Sequence, residues 1–238
     1  FISVVEGIFT VFLVYLIGTK LYDRKTGILG AFIFSFLPTP VFQSHFFVVD
    51  SPAVFWSMLC LYYLVSVINK KHIRKKWYII SGIFLGLALG TKYMNLLMIF
   101  PFLTIFTLRQ RKVGWKYPVI TVIIMLLVFF ITTPYSLISL REFLFGGPDG
   151  FGGIFGEKGL LAYNKYPANP LNPFVYVIYH SLRLPLAILA FIGIGFALYR
   201  RNISDKILFS FLVPFYLIMA ISPSPHLRHS LPAIPFIS

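Results

Sequence analysis

The chain has 238 residues, of which 58% are hydrophobic, 18% aromatic and 12% charged, with a mean hydropathy of +0.84. That is too little polar surface to coat a soluble globule of this size, so the composition excludes one and requires an integral membrane protein. The net charge of +14 comes from basic residues scattered over several short segments, with no single stripe of interleaved exposed aromatics, which argues against a nucleic-acid surface and for orientation in, and attraction to, membrane lipids.

Apolar runs in chain order predict spans at Ile2 to Thr19, Gly27 to Gln43, Pro52 to Ile68, Trp77 to Gly90, Tyr93 to Leu108, Tyr117 to Pro134, Pro173 to Tyr199 and Ile207 to Ser222, with another beginning at Leu231. Phe1 stands in mid-hydrophobic sequence without an initiator Met or a signal-peptide start, and Ser238 falls as an apolar run begins. The chain is therefore expected to be an internal piece of a longer protein, forming a single transmembrane domain over residues 1–238. Backbone groups in lipid must pair within their own segment, and no alternating ten-residue strands are present. The expected fold is an all-α polytopic bundle of about eight spans and the start of another.

Fifteen of the 21 Lys and Arg residues fall in four gaps between runs: Lys20, Arg24 and Lys25; Lys70, Lys71, Arg74, Lys75 and Lys76; Arg109, Arg111, Lys112 and Lys116; and Arg200, Arg201 and Lys206. Every second gap lacks such a cluster, and the positive-inside rule turns the four basic gaps to the cytoplasm. The same alternation resolves the stretch from Trp77 to Leu108, too long for one span. Basic clusters at both of its ends require an even number of crossings, hence two short spans hinged near Lys92. The longest polar segment, residues 136–172, is a Gly-rich outer loop, with a short interfacial helix expected around Leu137 to Phe145.

The polar residues of the outer gaps are the candidates for chemistry. Asp50 precedes Ser51-Pro52 at the start of a span, where it can cap the helix; beside His45, Phe46 and Phe47 it can also orient a hydroxyl or a metal-bound group. Lys92 is the only charge between Lys76 and Arg109. An ammonium left at mid-membrane costs on the order of 3 kcal/mol, so it belongs at the outer interface or in a polar cavity, either snorkelling or binding a phosphate. His226, Arg228 and His229 form a basic cluster that breaks the positive-inside pattern, and either interfacial anchoring or a lipid phosphate accounts for it. Glu6, His180 and Arg183 read first as helix–helix or interfacial contacts. Cys60, the only cysteine, lies in an apolar run, which leaves neither an intrachain disulfide nor a Cys-based metal cage. No nucleotide-phosphate loop, Ser-His-Asp or HExxH pattern is present.

Four segments together carry a family resemblance: Val11 to Phe36 around Tyr22-Asp23-Arg24-Lys25-Thr26-Gly27; Gln43 to Pro52 followed by Phe55-Trp56; Gly82 to Lys92 ending in Pro101; and His226 to Pro235. The chain resembles the polyprenyl-phosphate-sugar-dependent glycosyltransferases of the GT-C superfamily, in particular the protein O-mannosyltransferase and aminoarabinose transferase group. His229 departs from the Tyr usual in the last segment.

The resemblance implies transfer of a sugar from a polyprenyl-phosphate donor to a protein, lipid or glycan acceptor at the outer face of the cell membrane, with inversion. Asp50 would lie at the active site, while Lys92, Arg228, His226, His229 and His45 would contact substrate. The principal catalytic acid is expected in an earlier outer loop, outside this sequence. The resemblance makes no cofactor certain, and a divalent metal is left open. The Gly-rich loop is placed to close over the acceptor. The rival class, a transporter or lipid flippase, would instead show interrupted helices, polar residues near the midplane and pseudo-symmetric halves.

Overall fold

The computed structural model describes residues 1–46, 48–68, 74–109, 114–147, 153, 182–221 and 231–237. Among these residues every regular element is helical, as expected for a backbone that must satisfy itself without water. In chain order they are α1 (Ile2–Leu21), α2 (Arg24–Phe36), α3 (Pro38–Ser44), α4 (Asp50–Val65), α5 (Lys75–Thr91), a 3-10 turn (Tyr93–Met98), α6 (Ile99–Arg109), α7 (Lys116–Thr132), α8 (Tyr135–Ile138), α9 (Leu140–Phe145), α10 (Arg183–Arg200), α11 (Ile203–Ile221) and α12 (Ile234–Ile237).

By length and composition α1, α10 and α11 suffice to cross a membrane, and the bent pair α2–α3 makes a fourth. The run expected as one span from Gly27 to Gln43 is broken, its two helices meeting at 61°. Pro38 and Pro40 supply no N–H to continue α2, and Leu37, ahead of the first proline, is extended. The other apolar helices are shorter than a full span. The hinge expected near Lys92 is present: Lys92 is extended between α5 and the 3-10 turn. Two short helices over residues 135–145 stand where an interfacial helix was expected.

Small residues let these helices approach. Gly82, Gly86 and Gly90 line one stripe of α5 against α7, where a Cβ on Gly82 would sit 2.7 Å from the Thr121 carbonyl and one on Gly86 2.7 Å from that of Met125. Close backbone approach of this kind replaces the hydrophobic driving force that lipid removes. Gly18 and Gly27 do the same where α1 crosses α2. By contrast Ala187 is the one buried residue of α10, whose Leu, Ile and Phe side chains lie largely bare, as lipid-facing residues do.

The helix ends sort onto two sides. At one, Tyr22 donates to Asp205 (2.7 Å), Arg200 grips the same carboxylate through Nε and Nη2 (3.1 and 2.7 Å), and Ser204 donates to the Leu21 carbonyl. Asp23 caps α2 by accepting from the Thr26 N–H at 2.8 Å, a bond that holds its carboxyl below the usual range. Lys20, Arg24, Lys25, Arg201 and Lys206 surround this end. At the other lie Asp50, Lys92, Thr132 and the α8–α9 pair.

Candidate functional site at the sparsely charged end

Asp50 is the first residue of α4 and is 4% exposed. The capping role open to it from sequence is not the one it takes. Val49 occupies the cap position without a side-chain bond, and the Asp50 carboxylate instead accepts from the Lys92 ammonium at 2.5 Å. Lys92 reaches it from the break after α5, its side chain 17% exposed. The two charges, 42 residues apart in sequence, form one pair at the rim of an apolar body.

The break that presents Lys92 is held by local bonds. The Lys92 N–H still donates to Ala88 O at 3.2 Å, the Asn95 N–H donates to Lys92 O at 3.0 Å, and the Thr91 hydroxyl donates to Ala88 O at 2.7 Å. Asn95, 1% exposed, sends its amide N–H groups to Ala53 O on α4 (3.1 Å) and Ala88 O on α5 (2.8 Å). Sequence reasoning passed over Asn95; the signal was a lone amide in the apolar run from Tyr93 to Leu108. On the far side of the break, Phe143 of α9 meets Tyr93 edge-on at 5.5 Å and Phe129 at 6.1 Å, seating α9 beside the Lys92 turn.

A cavity of about 240 Å³ opens alongside, bounded by Gly7, Thr10, Ser35, Ser44, Ser51 and Leu231 among others. Its hydroxyls and apolar walls suit a ligand with both characters. His45 is exposed on the turn after α3, its Nδ1 2.7 Å from Val41 O, and no hydrogen bond or ion pair among the described residues links it to the pair. Arg183 is exposed at the start of α10. Glu6 is half-buried on α1, and its Oε2 has no hydrogen-bond partner among the described residues. His226, Arg228 and His229, with Phe47, His180 and most of the Gly-rich loop, lie outside the described residues. Among the described residues no three His, Cys, Asp or Glu side chains gather as a metal site. The Asp50 carboxylate is engaged by an ammonium, so the described residues by themselves offer no donor set for a metal.

The fold and the pair define a helical integral membrane protein with a polar site at one end of an apolar bundle. Residues 1–137 match the family described as dolichyl-phosphate-mannose-protein mannosyltransferase, and the chain belongs to this family, within the GT-C glycosyltransferases. The match takes in the segments around Tyr22, Asp50 and Lys92 that carried the resemblance; the segment from His226 lies beyond it. The chain is also similar to the crystal structure of ArnT from Cupriavidus metallidurans in the apo state, with a TM-score of 0.63 and 14% identity over 98% of this chain. At that identity the likeness is one of fold, and this chain spans 42% of that one. No curated protein matches the sequence.

Proposed function

We propose that this chain carries the outer-face site of a membrane glycosyltransferase that moves a sugar from a polyprenyl-phosphate donor to an acceptor hydroxyl. The observation that carries the reading is the Asp50–Lys92 pair, its carboxylate buried and its ammonium half-buried. Burying two charges costs several kcal/mol each before their attraction is counted, and hydrophobic residues of similar volume often serve stability as well. A bundle that keeps such a pair at its rim has a use for it.

Lys92 has three N–H donors and spends one on Asp50, which leaves two for the oxygens of a lipid phosphate. On this reading the His226 to His229 cluster, which lies outside the described residues, supplies further cationic contacts to the phosphate. The acceptor oxygen attacks the anomeric carbon as the bond to the phosphate oxygen breaks, and the phosphate departs with the bonding electron pair. Lys92 stabilises the charge that grows there, an interaction stronger in the transition state than before it. Asp50 holds Lys92 in place and orients donor or acceptor. The acceptor proton goes to the carboxylate of an acidic residue expected, by the resemblance, in an earlier outer loop, and attack from the face opposite the phosphate gives inversion.

The test is transfer of radiolabelled sugar from a polyprenyl-phosphate donor by the purified full-length protein, with sugar-free polyprenyl phosphate as competitor. Transfer that the competitor inhibits is the expected result. Movement of the intact donor across vesicles without transfer would overturn the reading in favour of a flippase.

A further inference from the structure

The charges of the site sit at the ends of two packed helices, Asp50 opening α4 and Lys92 just past the end of α5. One neutral side chain spans them. Asn95 donates to Ala53 O, one turn along α4 from Asp50, and to Ala88 O, one turn before Lys92. Ala88 O thereby accepts from three groups, the Lys92 N–H, the Thr91 hydroxyl and the Asn95 amide. At 1% exposure Asn95 has no water to turn to, and its Oδ1 has no hydrogen-bond partner among the described residues. A buried acceptor left unpaired costs about 1–3 kcal/mol. An apolar residue at 95 would avoid that cost, so the two donors of this amide have to account for its presence.

We propose that Asn95 is a positioning residue that sets the separation of Asp50 and Lys92 by tying the first turn of α4 to the last turn of α5. The inference rests on the proposed glycosyl transfer for its catalytic consequence, but not for its geometry. Reacting groups held a single ångström out of place lose about a hundredfold in rate. Loosening the tie therefore lowers kcat while the rest of the donor-binding surface, and with it KM, is kept. A role confined to filling space would change neither in that pattern.

The experiment uses the full-length protein and two readouts. Asn95→Leu removes both donors with the same number of side-chain heavy atoms; if it fails to fold, Asn95→Ala removes them with a smaller side chain and no added charge. In the sugar-transfer assay the expected result is a fall in kcat of about a hundredfold with KM within about threefold. The second readout needs no turnover. In a cysteine-free background carrying Asp50→Cys and Lys92→Cys, a short bis-methanethiosulfonate reagent should cross-link the two positions about tenfold faster when Asn95 is retained than when Asn95→Leu is added.

An unchanged cross-linking rate would overturn the inference, and so would a slowed rate with kcat preserved. Absence of transfer by the unaltered protein would strike the proposed function alone, because the cross-linking comparison stands without it.

Discussion

At Asp50 and Lys92 two charges are stabilised by each other in a place that water reaches poorly, so removing one is worse than removing both. Breaking a fully buried pair leaves an uncompensated charge and costs about 3–5 kcal/mol, less here because Lys92 keeps some access to solvent, whereas replacing both partners by well-packed uncharged groups is often close to neutral. Asp50→Asn and Lys92→Met should each lower the melting temperature in detergent, and the double variant should recover most of the loss while remaining inactive. A double variant less stable than either single one would show that the pair is not coupled as described. Both residues were legible in sequence because each is a charge that orientation does not explain. Their pairing was not, because nothing in a spacing of 42 residues marks a contact, and Ser51-Pro52 behind Asp50 pointed to a helix cap. Asn95 left almost no trace, since hydropathy gives little weight to one neutral amide among apolar neighbours.

Helix packing follows from where a β-carbon has no room. On α5 a Cβ added at Gly86 meets the Met125 carbonyl and the Val128 Cβ, each at 2.7 Å, whereas one at Gly90 first meets the Thr132 hydroxyl, at 2.6 Å. A backbone carbonyl cannot step aside as a hydroxyl rotor can. Gly86→Ala should therefore cost more than Gly90→Ala, about 1–3 kcal/mol for the former, read from thermal unfolding in detergent. Equal costs at the two positions would mean that α5 and α7 do not approach as closely as they do here. The four-residue spacing of these glycines was visible beforehand, but the partner helix they face was not. The break of α2–α3 could have been read from Pro38 and Pro40, yet the apolar run through them is continuous and masks it.

Across the whole molecule, charge alternation carried the most information. It assigned the gaps holding Lys20 to Lys25 and Arg200 to Lys206 to one side and Asp50 and Lys92 to the other; in the structure the first two gaps meet through Tyr22, Arg200 and Asp205, and Asp50 meets Lys92. The basic end has its own tie: Asp205, 1% exposed, accepts from Tyr22, Arg200 and the Asn202 N–H. Asp205→Ala should lower stability by about 1–2 kcal/mol, reduced from a fully buried ion pair because Arg200 keeps access to solvent. Cysteine labelling on intact cells should reach a thiol placed at residue 137 and not one at residue 201. Labelling in the reverse sense would turn the site to the cytoplasm and remove the outer-face reading.

The most direct measurement sets the two ends against each other in one assay, sugar transfer by the full-length protein carrying Asp50→Asn, Lys92→Ala or Asp205→Asn. Turnover should fall about a hundredfold or more in the first two, the loss typical of removing a group that stabilises transition-state charge, and stay within a few-fold in the third. Unchanged turnover in both Asp50→Asn and Lys92→Ala would contradict the assignment of the site.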